Sequence, residues 1–335
     1  MLAPPPAGSV APRQQPTFSV AIAAYQAAET LGAAVESALS QTLPPLDVVV
    51  CDDGSTDDFA GAIAPFRDRV VLLRQENRGE AAAKNAAAAA ASGEFVAFLD
   101  ADDLYYPERL EALAELASSR PDLDVMTTNA DLEVDGQVVG RYYPDVATFP
   151  VEDQTSGVIA NDSAVFGAAA VRASSFAAAG GLPVELRSTD DWELWIRLLL
   201  GGSKIGLVDE PLYRYRLHER GTSADQVEGL KDCVRVLERV LADAAPRPAE
   251  RAALQRSLLY HRRAAMLTEA EAALRAGPRQ GRTSSRLVAK SSEFPAATRL
   301  KAGLAVALPR TVARLLAWRE RRTGRSRIRK PMPGR

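Results

Sequence analysis

The chain has 335 residues, 47% of them hydrophobic, which is enough for one sizeable core or for two domains. Its two cysteines, Cys51 and Cys233, exclude a disulfide framework and favour a reducing compartment. Two histidines, His218 and His261, are too few for a histidine-rich metal centre. No run of about 18 apolar residues is present, so we predict no membrane-spanning helix and a cytoplasmic location.

The formal net charge of -2 conceals two regions of opposite sign. Residues 1–225 hold 16 Lys and Arg against 34 Asp and Glu, whereas residues 226–335 hold 25 against 9. This division predicts an acidic catalytic or binding body and a basic appendage with an anionic partner. The Pro/Ala/Gly-rich residues 1–16 lack the charge and apolar run of a signal peptide and are predicted to be a disordered leader.

The first 120 residues alternate between strand and helix patterns. Apolar runs predict strands at 18–25, 47–51, 70–73 and 94–100. Helical periodicity predicts helices at 27–41 and 80–91, and we expect Ser55 or Thr56 to cap another short helix. Strands that alternate with helices at this spacing form βαβ units in a parallel sheet, and such sheets bind ligands at the carboxyl ends of their strands.

Polar residues follow each of these strands, at Tyr25-Gln26, Asp52-Asp53, Asn77-Arg78-Gly79 and Asp100-Ala101-Asp102. These strand ends are expected to line one crevice. Carboxylates so close together need a counter-charge, and hard oxygen ligands favour Mg²⁺ or Mn²⁺. The alternative is that Asp102 and Asp103 lie in a solvated turn before the next helix.

The pattern becomes irregular after residue 121. It predicts a strand at 125–128, a hairpin at 132–140 turned at Asp135-Gly136, a strand at 163–171 and another within 204–217. A helix is predicted at 188–202, because Ser188 or Thr189 can cap it and the acids of its first turn suit the helix dipole. Its core-facing stripe is Trp192, Trp195, Ile196 and Leu199.

The last third is predicted to be helical. Helices are expected at 226–245 and 248–276, followed by a polar linker at 277–292 and a last helical segment at 300–318 that Pro309 interrupts. The basic residues 319–335 are predicted to be disordered.

Five blocks of the chain occur in a recognisable order: SVAIAAY, CDDGSTD, ENRGEAAAKNAA, FLDADD and STDDWELWIRL. Together they resemble the inverting, A-type glycosyltransferases of family 2 over residues 17–223. The resemblance implies an α/β fold with a Rossmann-like, mostly parallel sheet flanked by helices. It implies a catalytic domain at 17–224, divided into a nucleotide-sugar-binding half (17–120) and an acceptor half (121–224). A helical extension at 225–318 would follow.

The resemblance also implies a reaction. A sugar would pass with inversion from a nucleotide-diphospho-sugar, a UDP- or dTDP-sugar favoured, to a hydroxyl of a glycan or lipid-linked acceptor, with Mg²⁺ or Mn²⁺. Cell-surface polysaccharide or glycolipid synthesis is the expected setting. A sugar hydroxyl is a poor nucleophile until a base removes its proton. Asp191 resembles that general base; the alternative is that Asp190 and Asp191 merely favour a helix start.

Donor and metal roles carry over to the matching positions. The metal ligands implied are Asp102 directly, Asp100 with ribose or a metal-bound water as its more usual contact, and His218, for which a structural or exposed role is the alternative. Asp53 resembles the residue that accepts a hydrogen bond from a uracil or thymine ring NH. Lys84 stands where the family commonly has Arg, and a surface lysine is the alternative. The nucleotide-sugar-binding residues implied are Ala23, Tyr25, Asp52, Asp53, Asn77, Gly79, Lys84, Asp100, Ala101 and Asp102, with a solvated turn acid as the alternative for Asp52.

Other functions remain open at this point. A secondary-metabolite glycosyltransferase or a non-catalytic nucleotide-sugar-binding module would fit the same motifs. A nucleotidyltransferase would carry a Gly-rich basic loop after the first strand, which AAYQAAET lacks. The Arg-rich tail has too few aromatic residues for stacking on nucleic acid, so no nucleic acid partner is expected. The basic C-terminus instead suggests peripheral contact with the anionic inner face of the cell membrane; helices packed on the body with a solvated Arg face are the alternative.

Overall fold

The computed structural model describes five segments of the chain: 15–143, 154–160, 165–186, 189–217 and 226–323. Nine strands form one mixed sheet within these segments. The strands are β1 (Phe18–Ala24), β2 (Asp47–Asp52), β3 (Val71–Arg74), β4 (Phe95–Asp100), β5 (Leu104–Tyr105), β6 (Val125–Val134), β7 (Gln137–Arg141), β8 (Ala170–Arg172) and β9 (Ile205–Arg216). The helices are α1 (Ala28–Leu39), α2 (Phe59–Ile63), α3 (Glu80–Ala90), α4 (Arg109–Ser119), α5 (Gln154–Ala160), α6 (Ala173–Ala179), α7 (Asp190–Leu200), α8 (Gln226–Asp243), α9 (Pro248–Ala276), α10 (Pro278–Lys290), α11 (Ala296–Ala307) and α12 (Pro309–Thr323).

The sheet order is β3-β2-β1-β4-β8-β6-β9-β5, with β7 paired to β6. The first four strands in the sequence pair in parallel, as the βαβ pattern predicts. The second half of the sheet is mixed, because β8 runs antiparallel to both of its neighbours whereas β6 and β9 are parallel. The predicted α/β class with a Rossmann-like first half is therefore confirmed, and the parallel arrangement holds for that half and for the β6–β9 pair.

Alternate residues of the central strands face two separate cores. Phe18, Val20 and Ile22 of β1 pack in a cluster with side chains of α1 and α4. Ala21 belongs to the cluster on the other face, which includes side chains of α3 and α7. Burial on both faces explains why these strands read as nearly continuous apolar runs, and it leaves their polar carboxyl ends at the sheet edge.

Some local predictions are confirmed and others are wrong. The β6–β7 hairpin turns at Asp135 and Gly136, with positive φ values of 50° and 78°. Asp58 caps α2 by accepting from the amide of Gly61 at 3.0 Å, so neither Ser55 nor Thr56 has the predicted capping role. Thr189 precedes α7 without a side-chain capping bond, and Ser188 lies outside the described residues.

Two further predictions are wrong. Of the predicted strand at 163–171, only the end is a strand, at β8, while 161–164 lie outside the described residues. The predicted polar linker at 277–292 is mostly helix α10. Its buried residues Gly281, Ser285 and Val288 recur every three or four positions, but small side chains among many arginines hid this stripe from a hydrophobicity pattern.

The C-terminal helices attach to the body in two stages. Side chains of α8 and α9 enter the core cluster that contains Trp192 and Trp195 of α7, and the rings of Trp192 and His261 lie 5.6 Å apart. By contrast, α10, α11 and α12 pack mainly on α9 and on one another. Across the described segments, no helix is long and apolar enough to cross a membrane.

Candidate active site

Two aspartates at the end of β2 organise one side of the crevice. Asp52 is buried and accepts a hydrogen bond from the amide of Ser55 at 2.8 Å, so it is not a solvated turn acid. Asp53 is also buried and accepts from the amides of Arg78 and Gly79 at 2.9 and 2.8 Å. Asp53 thereby holds the loop that carries the Asn-x-Gly block against the end of β2.

The same loop places several predicted donor contacts at an accessible edge. Asn77 and Gly79 are exposed, and Gly79 has a φ of 93° that favours glycine. Tyr25 is 53% exposed after β1, so its ring is available for stacking, whereas Ala23 is partly buried on the strand itself. These residues and Asp53 follow neighbouring parallel strands, which brings them to one edge of the sheet.

Gln26 has a structural role, although it lies outside the motif blocks. It has a positive φ of 52°, and its side-chain oxygen accepts from the amides of Thr56 and Asp57 at 2.8 and 3.1 Å. It thereby ties the end of β1 to the turn after β2. The signal available in the sequence was only that a polar residue follows a strand directly.

Lys84 is the principal cation of the crevice. Its ammonium lies 2.7 Å from Oδ1 of Asp100 and 2.6 Å from Glu80, and its side chain is only 10% exposed. The surface alternative for Lys84 is therefore wrong. Burial opposes its charge, but Asp100 and Glu80 more than compensate and hold the pKa of Lys84 well above its usual range.

Asp100, Asp102 and Asp103 differ in their surroundings at the end of β4. Burial raises the pKa of Asp100 while Lys84 opposes that rise. Asp102 is partly exposed, and Ala101 between them is buried. Asp103 is fully buried and accepts from the Tyr213 hydroxyl and the Arg216 amide, each at 2.8 Å. Asp103 thus fixes the acidic turn to β9, which excludes a solvated turn for this residue.

The side chains of β9 alternate between two environments. Tyr213 and Tyr215 pack against the ring of Phe166 on the core side. Arg214 and Arg216 both form ion pairs with Glu133, at 3.2 and 3.5 Å. Arg216 also donates to the backbone carbonyl of Asp102 at 3.2 Å, which orients the acidic turn.

Asp190 and Asp191 open helix α7 at the other side of the crevice. Burial, then the neighbouring Asp191, raises the pKa of Asp190 to about 7. Burial likewise raises the pKa of Asp191, against a hydrogen bond of 2.7 Å from the Trp192 amide. The charge of Lys84 lowers both values, so this lysine stabilises the ionised carboxylates on both sides of the crevice.

Two further residues support this arrangement without a motif that marks them. A Cβ atom on Gly167 would lie 2.6 Å from Oδ2 of Asp191, so only glycine leaves that carboxylate in place. Arg109 is fully buried between the rings of Tyr105 and Tyr213, with its guanidinium 4.7 and 4.9 Å from their centroids. Arg109 therefore packs against the ring of Tyr213, whose hydroxyl donates to Asp103.

The predicted ligand His218 lies outside the described residues. Within the described segments, no group of three or more His, Cys, Asp or Glu side chains could hold a metal ion by itself. A metal at this edge would therefore need ligands besides the described protein carboxylates. Such ligands are usual for Mg²⁺, which is commonly held by one or two carboxylates together with phosphate oxygens and water.

The family model described as "Glycosyl transferase family 2" matches residues 19–163. These residues therefore have the sequence pattern of a family 2 glycosyltransferase. The matched region includes β1 to β7 and the Asp52, Lys84 and Asp100 environments, but it ends before α7. The resemblance identified from the motif blocks is therefore confirmed for this region.

The chain is similar to enzymes of bacterial polysaccharide and glycolipid synthesis. Chondroitin synthase of Pasteurella multocida (strain Pm70) is 30% identical over 220 residues, 64% of this chain and 22% of the relative. The UDP-Glc:alpha-D-GlcNAc-diphosphoundecaprenol beta-1,3-glucosyltransferase WfaP of Escherichia coli is 29% identical over 222 residues, 63% of this chain and 82% of the relative. The matches span 21 to 32% of the length of the chondroitin and hyaluronan synthases among these relatives.

Solved structures share the A-type fold. Residues 1–349 of TarS from S. aureus superpose with a TM-score of 0.61 at 18% identity, over 92% of both chains. The mannosyltransferase PcManGT from Pyrobaculum calidifontis, in complex with GDP-Man and Mn²⁺, gives a TM-score of 0.58 at 22% identity, over 92% of this chain and 86% of that one. These likenesses extend beyond the matched family region into the C-terminal helices.

Replacement of Lys84 by Met should lower the free energy of unfolding by about 2 kcal/mol. The reason is that Asp100 and Glu80 lose their shared cation, and the loss is smaller than for a fully buried pair because both carboxylates are partly exposed. Urea unfolding followed by circular dichroism measures it. Lys204→Met removes an exposed ion pair with Asp122 and should leave the transition unchanged. Equal stability of Lys84→Met and wild type would contradict the role of Lys84.

Proposed function

We propose that this glycosyltransferase moves a sugar, with inversion, from a UDP- or dTDP-sugar to a hydroxyl of a glycan or lipid-linked acceptor. The observation that carries the proposal is the grouping of Asp100 and Asp191 around Lys84, at the carboxyl end of β4 and the start of α7. WfaP, by its name a UDP-glucose-dependent enzyme that acts on a lipid-linked diphosphate, supports the donor and acceptor classes. Cell-surface polysaccharide or glycolipid synthesis is the proposed setting.

The donor would bind along the ends of β1, β2 and β4. Asp53 accepts three hydrogen bonds, two from amides and one from Gln75, and an ionised carboxylate has about four acceptor positions. One position therefore stays available for the ring NH of uracil or thymine. Tyr25 would stack on the base, and Ala23, Asn77 and Gly79 would contact the nucleoside and diphosphate.

The donor set at the acidic turn fits a divalent metal ion. Asp102 is partly exposed, and the side chain of Asp100 is 30% exposed beside Lys84. Asp102 would hold Mg²⁺ or Mn²⁺ directly, Asp100 would contact the ion or its water, and His218 is a further proposed ligand. When bound, the metal neutralises the charge of the departing diphosphate. The PcManGT complex with Mn²⁺ supports this choice of ion.

Asp191 would act as the general base. Its carboxylate takes the proton of the acceptor hydroxyl while the hydroxyl oxygen forms a bond to the anomeric carbon. The bond from that carbon to the diphosphate breaks on the opposite face, and its electron pair leaves with the nucleoside diphosphate. The raised pKa of Asp191 makes it a stronger base than an ordinary aspartate, and Asp190 would stabilise the helix start and share the charge of Lys84.

The proposal is tested with a panel of UDP-, dTDP- and GDP-sugars with excess Mn²⁺. We expect calorimetric binding and slow hydrolysis of at least one UDP- or dTDP-sugar, with weaker binding of the matched GDP-sugar, because Asp53 offers one acceptor position to a pyrimidine NH. Tighter binding of a GDP-sugar than of all uridine and thymidine donors would refute the assignment of the nucleotide. Absence of donor binding throughout the panel would refute the function.

Asp191→Asn should retain the donor affinity of wild type and reduce sugar transfer by about 10² to 10⁴-fold, because only base catalysis is removed. The wild-type kcat/KM should fall tenfold per pH unit on the acidic side, below an apparent pKa raised above the ordinary aspartate value, since protonated Asp191 cannot accept the proton. Asp190→Asn is the matched control, and its kcat/KM should still fall at acidic pH as in wild type. If this fall disappeared in Asp190→Asn and persisted in Asp191→Asn, the assignment would be reversed.

Asp102→Ala should weaken metal-dependent donor binding by at least tenfold, because the ion loses its direct carboxylate. Calorimetric titration of the donor with Mn²⁺, and again with EDTA, measures the difference. Asp122→Ala removes the exposed ion pair with Lys204 and should bind the donor as wild type does. A donor affinity of Asp102→Ala equal to wild type in saturating Mn²⁺ would exclude Asp102 as a ligand.

A further inference from the structure

Helix α10 presents a basic stripe to solvent. Its exposed cations are Arg279, Arg282, Arg286 and Lys290, which fall within a narrow arc of one helix face at 100° per residue. The opposite face carries the buried residues that pack toward α9 and α11. In the part of the chain that the structure describes, none of the four cations forms an ion pair with a carboxylate. Four like charges therefore line one face without a protein counter-charge.

Helix α11 shows the reverse of ordinary amphipathicity. Its buried residue is the small Ala305, whereas the large Leu300 and Leu304 are 70% and 52% exposed. Leu308 continues the exposed series at the same spacing and is 56% exposed. The spacing i, i+4, i+8 places these three leucines on one face, a leucine ridge flanked by cations on both sides, Arg299 and Lys301.

Helix α12 repeats this combination. Leu315 is 60% exposed and Trp318 is 52% exposed, and they lie three residues apart on one face. Arg314 and Arg310 are exposed beside them. Large apolar side chains rarely stay exposed in such a series on a soluble surface, and a series of this kind indicates an interaction site.

We propose that the basic stripe of α10 and the leucine ridge of α11, continued by Leu315 and Trp318, bind the interface of an anionic phospholipid bilayer. Leucine and tryptophan side chains would enter the boundary between head groups and acyl chains, and the arginines and lysines would contact lipid phosphates. Since no described helix can cross a bilayer, the contact would be peripheral. It would hold the catalytic body near lipid-linked acceptors.

Charge separates a bilayer from the other partners considered. In a symmetric dimer the same patch faces itself, so the basic stripe would be buried against a patch whose exposed charges are also cations. A soluble polyanion would use the cations and leave Leu300 and Leu304 in water. An anionic bilayer offers both negative charge for the cations and apolar depth for the leucines. This inference does not rest on the donor or on the chemistry at Asp191.

The test is sedimentation of the full chain with vesicles of phosphatidylcholine alone or with 30% phosphatidylglycerol. Wild type should bind the anionic vesicles and be released by high salt. Arg282→Gln with Arg286→Gln should lower the partition coefficient roughly 30-fold, because each basic residue near an anionic surface contributes about 1 kcal/mol. Leu300→Glu with Leu304→Glu should lower it further, by removing the inserted apolar area and adding negative charge.

Matched controls change the same chemistry elsewhere on the exposed surface. Arg67→Gln with Arg69→Gln, and Leu46→Glu with Val138→Glu, should bind as wild type does. All variants should keep wild-type circular dichroism and, in the absence of vesicles, wild-type donor hydrolysis. Loss of donor hydrolysis without loss of vesicle binding therefore counts against the proposed function and not against the membrane surface. Equal binding to neutral and anionic vesicles, or wild-type binding by either test variant, would overturn the inference. So would a dimer that the ridge substitutions dissociate without any vesicle binding.

Discussion

The ion pairs of Lys84 are the constraint on which the crevice depends. Its ammonium contacts Asp100 and Glu80 and lowers the pKa of both Asp190 and Asp191. Without a cation at this point, four carboxylates would face one partly buried recess, and several of them would have to bind protons to remain there. One side chain on α3 thus favours the ionised state of the acidic turn after β4 and of the proposed base.

The sheet topology explains why acidic groups gather near Lys84. The carboxyl ends of β1, β2 and β4 reach one edge because the strands are parallel. The acidic turn after β4 is then attached to β9 through Asp103, which binds Tyr213 and Arg216. Burial of the Asp103 carboxylate costs free energy, and the two hydrogen bonds that it accepts reduce that cost. The buried Arg109 beneath Tyr213 keeps the tyrosine in position.

The sequence allowed the first half of the fold to be predicted because strand, helix and turn signals agreed there. The helical state of α10 and the burial of Lys84 were not predictable, since each depends on contacts with distant residues. The cap of α2 is a local contact, from the Gly61 amide to Asp58, but Ser55 and Thr56 are residues of the same capping type. Lys84 had one local signal, Glu80 four residues earlier, but Asp100 completes its site only in the folded sheet. Gly167 and Arg109 act by packing, and no motif marks such roles.

The C-terminal helices have two different physical roles, which the uniformly basic composition of this region does not distinguish. Helices α8 and α9 complete the core against α7, where His261 packs on Trp192, so they support the helix that begins at Asp190. Helices α10 to α12 contribute little to that core and keep leucines and arginines in water. A surface that leaves such apolar area exposed, with the charge of its stripe unneutralised, is more stable against an anionic bilayer than in solution. The same support that positions the proposed base would thereby couple it to the place where lipid-linked acceptors occur.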